Sequence, residues 1–177
     1  MRASVVATMA VCLGVGVWAC VESPTAAVQD FAAQSVMGPV AQSVTGSGHF
    51  VVQTNDADVW RTFSFAALEG ADGSVSGTFH LRTHVPGAGA KLNGNVTCFS
   101  IVGTEVWMAG TIEKAVNPEI VGITVGWRVV DNGEGSGAAP DQITRQWRRV
   151  NAADYCDGKP VDQPLFDVEA GNIQIHR

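Results

Sequence analysis

From Gly46 onward the chain consists of short runs in which apolar and polar residues alternate, each closed by Gly, Asn or Asp, with no convincing helical period between them. Period-2 alternation puts successive side chains on opposite faces of a strand, and turn residues at these intervals join neighbouring strands antiparallel. The clearest hairpin covers residues 60–84. In its first arm Phe63, Phe65 and Ala67 share one face, Ala71-Asp72-Gly73 turns the chain, and Val75, Gly77, Phe79 and Leu81 share a face of the second arm. Thr78, His80, Arg82 and His84 then occupy the other, solvated face. His80 and His84 lie about 13 Å apart along such a strand, too far to share one ion.

A second hairpin is expected from residues 95–101 and 105–112 around the turn 102–104. Residues 119–130 follow, with Val121, Ile123, Val125, Trp127 and Val129 on one face and Gly122 and Gly126 on the other, where small residues admit a close neighbour or strong coiling. Residues 142–150 read as a polar strand and 172–176 as a short last one. With residues 49–53 the count is about eight. The expected fold is all-β and antiparallel, a closed or nearly closed barrel, because closure removes exposed edges; a two-sheet sandwich is the alternative that periodicity leaves open. Phe63, Phe65, Phe79, Ile123 and Val125 are expected to fill the interior.

The N-terminus has a different texture. Met1-Arg2 precedes an uncharged apolar run from Ala3 to Val17 that ends at Val17-Trp18-Ala19-Cys20. This is the order of parts in an export signal, and it is short for a spanning helix, which takes about 20 apolar residues. Residues 1–20 are therefore read as a signal segment whose end resembles a bacterial lipobox with Cys20 as the lipidated residue, although Trp18 is bulky where a small residue is usual. Ordinary cleavage near Ala19 or after Ala27 is the other route. Residues 21–45, rich in Ala, Ser, Val, Gln and Pro, read as a disordered linker, with a weak helical pattern over 28–36, and residues 46–177 as one β domain.

Of the four cysteines, Cys12 and Cys20 belong to the signal segment, leaving Cys98 and Cys156 in the domain. In an oxidising compartment they are expected to form a disulfide that staples residues 151–164 to the second hairpin. Thiolate metal binding is disfavoured, since no CxxC or Cys/His pair at ligand spacing is present.

Several local patterns, taken in order, resemble a group of exported bacterial β-domains of uncharacterised function. They are the opening Gly46-Ser47-Gly48-His49-Phe50, the aromatic arm Thr62-Phe63-Ser64-Phe65, the return strand from Asp72 to Gly77, the segment Val129-Val130-Asp131-Asn132-Gly133-Glu134-Gly135 with Asp141 after it, and the terminal Gly171-Asn172-Ile173-Gln174-Ile175-His176. The resemblance covers about residues 46–176 and implies a secreted β-domain without implying a reaction. The Cys156-bearing insertion lies outside the shared pattern.

Candidate sites are few. Asp131, Glu134 and Asp141 concentrate carboxylates among glycines, which suits a hard cation with several oxygen ligands and equally suits a tight turn. Trp107, Trp147 and Arg145 have polar strand neighbours and are candidates for sugar or acidic-group binding, against the alternative of core packing or a solvated edge. No GxSxG, HExxH or SxxK motif is present, and no cofactor is implied. A net charge of −6 disfavours nucleic acid as a partner. The sequence thus leads to an exported, noncatalytic, monomeric β-domain that binds or organises an envelope component, touching a membrane only through an anchor at Cys20. A barrel binding a small ligand or carbohydrate is the second reading, and an extracytoplasmic hydrolase the third.

Overall fold

The computed structural model describes residues 40–53, 57–85, 89–145 and 147–177, with Trp147 and Arg148 described by their backbone. The expected signal segment, residues 1–20 with Cys20, and residues 21–39 lie outside these. The described chain forms β1 (Val40–Gln53), β2 (Asp58–Gly70), β3 (Val75–His84), β4 (Lys91–Val102), β5 (Glu105–Ala115), a 3-10 turn (Pro118–Ile120), β6 (Thr124–Val130), β7 (Gln142–Thr144), β8 (Trp147–Arg148), α1 (Ala152–Gly158), β9 (Leu165–Asp167) and β10 (Ala170–His176).

All the strands belong to one antiparallel sheet in the order β10-β1-β2-β3-β4-β5-β6-β7-β9, with β8 paired to β6. A single continuous ladder replaces the sandwich alternative, and its strands number ten among the described residues. The sheet curls into a half-barrel. Its two edge strands, β9 and β10, are consecutive in the chain, separated only by Val168 and Glu169. The Glu169 N–H donates to the His49 carbonyl at 3.0 Å, tying this connection to β1.

Three boundaries differ from the sequence reading. β1 begins at Val40 rather than near residue 46, because β2 runs on to Gly70 and supplies ladder partners for the earlier residues. Val44 is fully buried there, so the end of the expected linker is strand. β6 starts at Thr124 rather than 119. Asn117 caps the 3-10 turn through its side chain, Pro118 fits the first turn position, and Gly122 takes φ +82°, which leaves Val121 45% exposed. The expected strand 142–150 is interrupted, giving β7 and the two-residue β8.

The apolar faces meet as the alternation requires. Phe50 of β1, Phe63 and Phe65 of β2, Phe79 and Leu81 of β3, and Val125, Trp127 and Val129 of β6 are buried in one cluster, with Ile123 at its margin. Trp127 packs against Phe79 at 5.0 Å and Phe65 at 6.3 Å between ring centroids. The Phe79 ring lies over Gly94 and Gly110, where an added Cβ would stand 2.5 and 2.8 Å from ring carbons, so those strands admit the ring only as glycine. Aromatic side chains occupy the interior.

A β-bulge in β4 organises the rest. The register shifts between Val96 and Cys98, so Val96 faces inward with Gly110, whereas Cys98 pairs with the outward Ala109 and Phe99 returns to the core beside Met108. Without this extra residue Cys98 would share the inward face of Val96. Turned outward, it bonds to Cys156 of α1 (Cα–Cα 6.4 Å), a location that agrees with an extracytoplasmic protein. α1 is capped by the Asn151 side chain, which accepts from the Asp154 N–H at 3.2 Å. No helix among the described residues is long and apolar enough to cross a membrane.

Candidate binding face

Asp131 and Asp141 lie in the loop between β6 and β7, and their carboxylates engage backbone N–H groups along the sheet seam. Ile173 and Ile175 of β10 point their N–H groups away from β1, toward the open edge. Asp141 Oδ2 accepts from the Ile173 N–H at 2.7 Å, and Asp131 Oδ2 from the Ile175 N–H at 3.0 Å. Asp141 Oδ1 also accepts from the Asn132 N–H at 2.9 Å. These carboxylates do for an edge strand what another strand would do. Glu134 accepts from the side-chain amides of Asn172 and Gln174, which hold its carboxyl below its ordinary range. Among the described residues no three His, Cys, Asp or Glu are grouped to hold a metal ion. The acidic loop is a clasp on β10.

Trp107 is 4% exposed and lies beneath α1 rather than on the surface, its indole N–H donating to the Pro160 carbonyl at 2.9 Å. It therefore offers no stacking platform. Its neighbours form a second buried layer on the outer side of β5 and β6. The Arg128 guanidinium lies 6.0 Å from the Trp107 ring centre and pairs with Glu105 at 3.3 Å. The Tyr155 ring sits over Gly126, where an added Cβ would be 2.9 Å from it, so the close approach that Gly126 permits is to this ring. The Tyr155 hydroxyl makes no hydrogen bond of good geometry. Its burial pushes the phenol up to about 12, with Arg128 and Thr144 pulling the other way. Arg145 is exposed between β7 and β8, and the Trp147 side chain lies outside the described residues.

Sequence reasoning missed the outward face of β1–β4, because its composition emerges only once the register is known. Four rungs cross these strands: Val51, Trp60 and His84; His49, Thr62, Arg82 and Lys91; Ser47, Ser64, His80 and Asn93, continuing to Lys114 of β5; and Thr45, Ala66, Thr78 and Asn95. None of these positions is a carboxylate, although the chain carries 17 acidic residues against 11 basic ones. The next rung pairs Gln53 with Asp58, and Glu113 and Glu169 stand at the borders. Trp60 is 48% exposed and stacks on His49 with ring centroids 4.8 Å apart, and His49 meets Glu169 at 3.6 Å. Beside Trp60 a groove of about 470 Å³ opens between β1, β2 and β9, bordered by Gln53, Asp58, Asp167 and Glu169. The sequence signal was the alternation Thr78, His80, Arg82, His84; what it lacked was the identity of the neighbouring strands.

No protein-family model, no curated protein and no solved structure matches this chain.

Proposed function

We propose that this is an exported, noncatalytic β-domain that binds an anionic component of the cell envelope through the outward face of β1–β4. The observation that carries the reading is the composition of that face: cations, hydroxyls, amides and one exposed indole, with carboxylates confined to the end beside Trp60, on a chain of net charge −6. A field of one sign on a protein of the other attracts a complementary polymer. The aromatic filling of the half-barrel directs recognition to the surface. The disulfide favours work outside the cytoplasm, and the resemblance to exported bacterial β-domains points the same way.

Retention of the full chain on isolated bacterial envelopes tests this: binding at low ionic strength that is released by about 0.5 M salt is expected, because surface charges are screened there. Failure to bind, or binding indifferent to salt, contradicts it. Anchoring through Cys20 is a separate step of the proposal. Labelling with a radioactive fatty acid is expected to mark the wild type and not Cys20→Ser, whereas an unlabelled wild type removes the anchor.

The Trp60 groove favours a second reading, a neutral sugar stacked on the indole and oriented by the bordering carboxylates and Gln53. Sugar binding abolished by Trp60→Ala and unaffected by salt would select it.

A further inference from the structure

Resting on the reading of the β1–β4 face as a binding surface, we propose that its centre is a site for a single phosphoryl group. Arg82 and Lys91 are direct cross-strand partners. Like charges opposite one another oppose strand pairing, and among the described residues neither has an acidic partner. Thr62 stands across from Arg82 on the other side, its hydroxyl 3.2 Å from His84 Nε2, and the next rung places Ser64 beside His80. These five side chains line one depression of about 130 Å³, floored by the backbone of Phe63 and Leu81. Strands lie about 4.8 Å apart and same-face residues of one strand about 6.8 Å, so the five side chains spring from positions within about 12 Å of one another.

This donor set suits a tetrahedral oxyanion. Arg supplies a planar fork for two oxygens, Lys a mobile point charge, and the hydroxyls neutral donors for the remainder. The volume lies below the range of about 300–1,000 Å³ that encloses a drug-sized ligand, so the depression takes one compact group rather than a chain of sugars. A phosphoryl group is carried both by lipid headgroups and by phosphodiester polymers, and the shared chemistry is the phosphate itself.

Amide NMR of the full chain titrated with inorganic phosphate, with acetate at equal ionic strength as comparator, tests the site. Saturable shifts centred on Thr62, Ser64, His80, Arg82 and Lys91 are expected, together with a loss of affinity of about ten-fold or more in R82Q/K91Q, whose thermal melt reports its folding. Shifts that do not saturate, that acetate reproduces equally, or that persist in the folded double variant overturn the site. Given phosphate binding, retention on phosphatidylglycerol vesicles but not phosphatidylcholine assigns a lipid source. Retention on soluble polyglycerol phosphate assigns a polymer, and retention on neither assigns free phosphate; each upholds the pocket. Salt-sensitive envelope binding without any phosphate effect overturns the pocket and leaves the binding face standing, whereas absence of both overturns the two together.

Discussion

The outer surface of this one sheet is treated in two ways. Over β4–β6 it is covered: the bulge turns Cys98 outward, the disulfide holds α1 down, and Trp107 and Arg128 are buried beneath it with Tyr155 on its underside. Over β1–β4 no described element covers it, and among the described residues Arg82 and Lys91 stand in register without an acidic partner. The covered side resembles a second core, with close contacts and a glycine that admits a ring. On the bare side there is little to lose on substitution, and an uncompensated like-charge pair is retained at some expense of stability. The contrast separates a flank held by α1 and the disulfide from the flank to which binding is proposed.

Substitutions separate the two sides, and the largest effect is expected from the disulfide. Closing a loop with a sequence separation of 58 removes unfolded-state entropy worth about 4 kcal/mol on the chain-entropy model. Cys98→Ser/Cys156→Ser is therefore expected to lower the denaturant midpoint strongly, while the fraction that remains folded keeps its envelope binding. Next comes Gly126→Val, whose new side chain meets the Tyr155 ring; overpacking of this kind costs about 1–3 kcal/mol. Thr78→Val on the bare side is expected to change stability by less than about 0.5 kcal/mol in the same denaturation assay.

Tyr155 gives the covered side a pH signature. Its phenol is raised from 10.0 to about 12 in the fold, so the folded state holds the proton more tightly than the unfolded chain. Stability is complete below pH 10.0 and falls as pH rises from there toward about 12. Tyr155→Phe is expected to remove that alkaline loss and to change stability at neutral pH by no more than about 1 kcal/mol, since no good hydrogen bond is given up. Thermal melts across pH 8 to 12, roughly the span of the titration, check it. Arg82→Gln is expected to have a small effect of opposite sign. Relief of the repulsion from Lys91 is expected to stabilise the protein by about 0.2–0.5 kcal/mol while envelope binding weakens, opposite signs that a merely structural Arg82 would not produce.

Much of this was readable from residues alone, and the remainder depends on long-range pairing. The β2–β3 hairpin, its Asp72-Gly73 turn, the inward Phe63, Phe65 and Phe79, and the Cys98–Cys156 bond follow from alternation, turn chemistry and cysteine count. The seven-residue helix α1 was missed because two turns carry too little periodicity to distinguish it from a loop. The start of β1 at Val40 depends on how far β2 extends, which is a property of the pair. Asp131 and Asp141 read equally as turn residues or cation ligands until β10 is placed beside them, and Trp107 reads as either a binding platform or core until α1 is laid over it. The rung of Thr62, Arg82 and Lys91 could not be seen from any one strand, since it is created by the register of three.

Hydrogen exchange of the full chain, free and with polyglycerol phosphate, bears most directly on the division between the flanks. Slower exchange confined to β1–β4, around Thr62, Ser64, His80 and Arg82, with α1 and β5 unchanged, is the predicted result. Protection centred on α1, or spread evenly over the sheet, would contradict it.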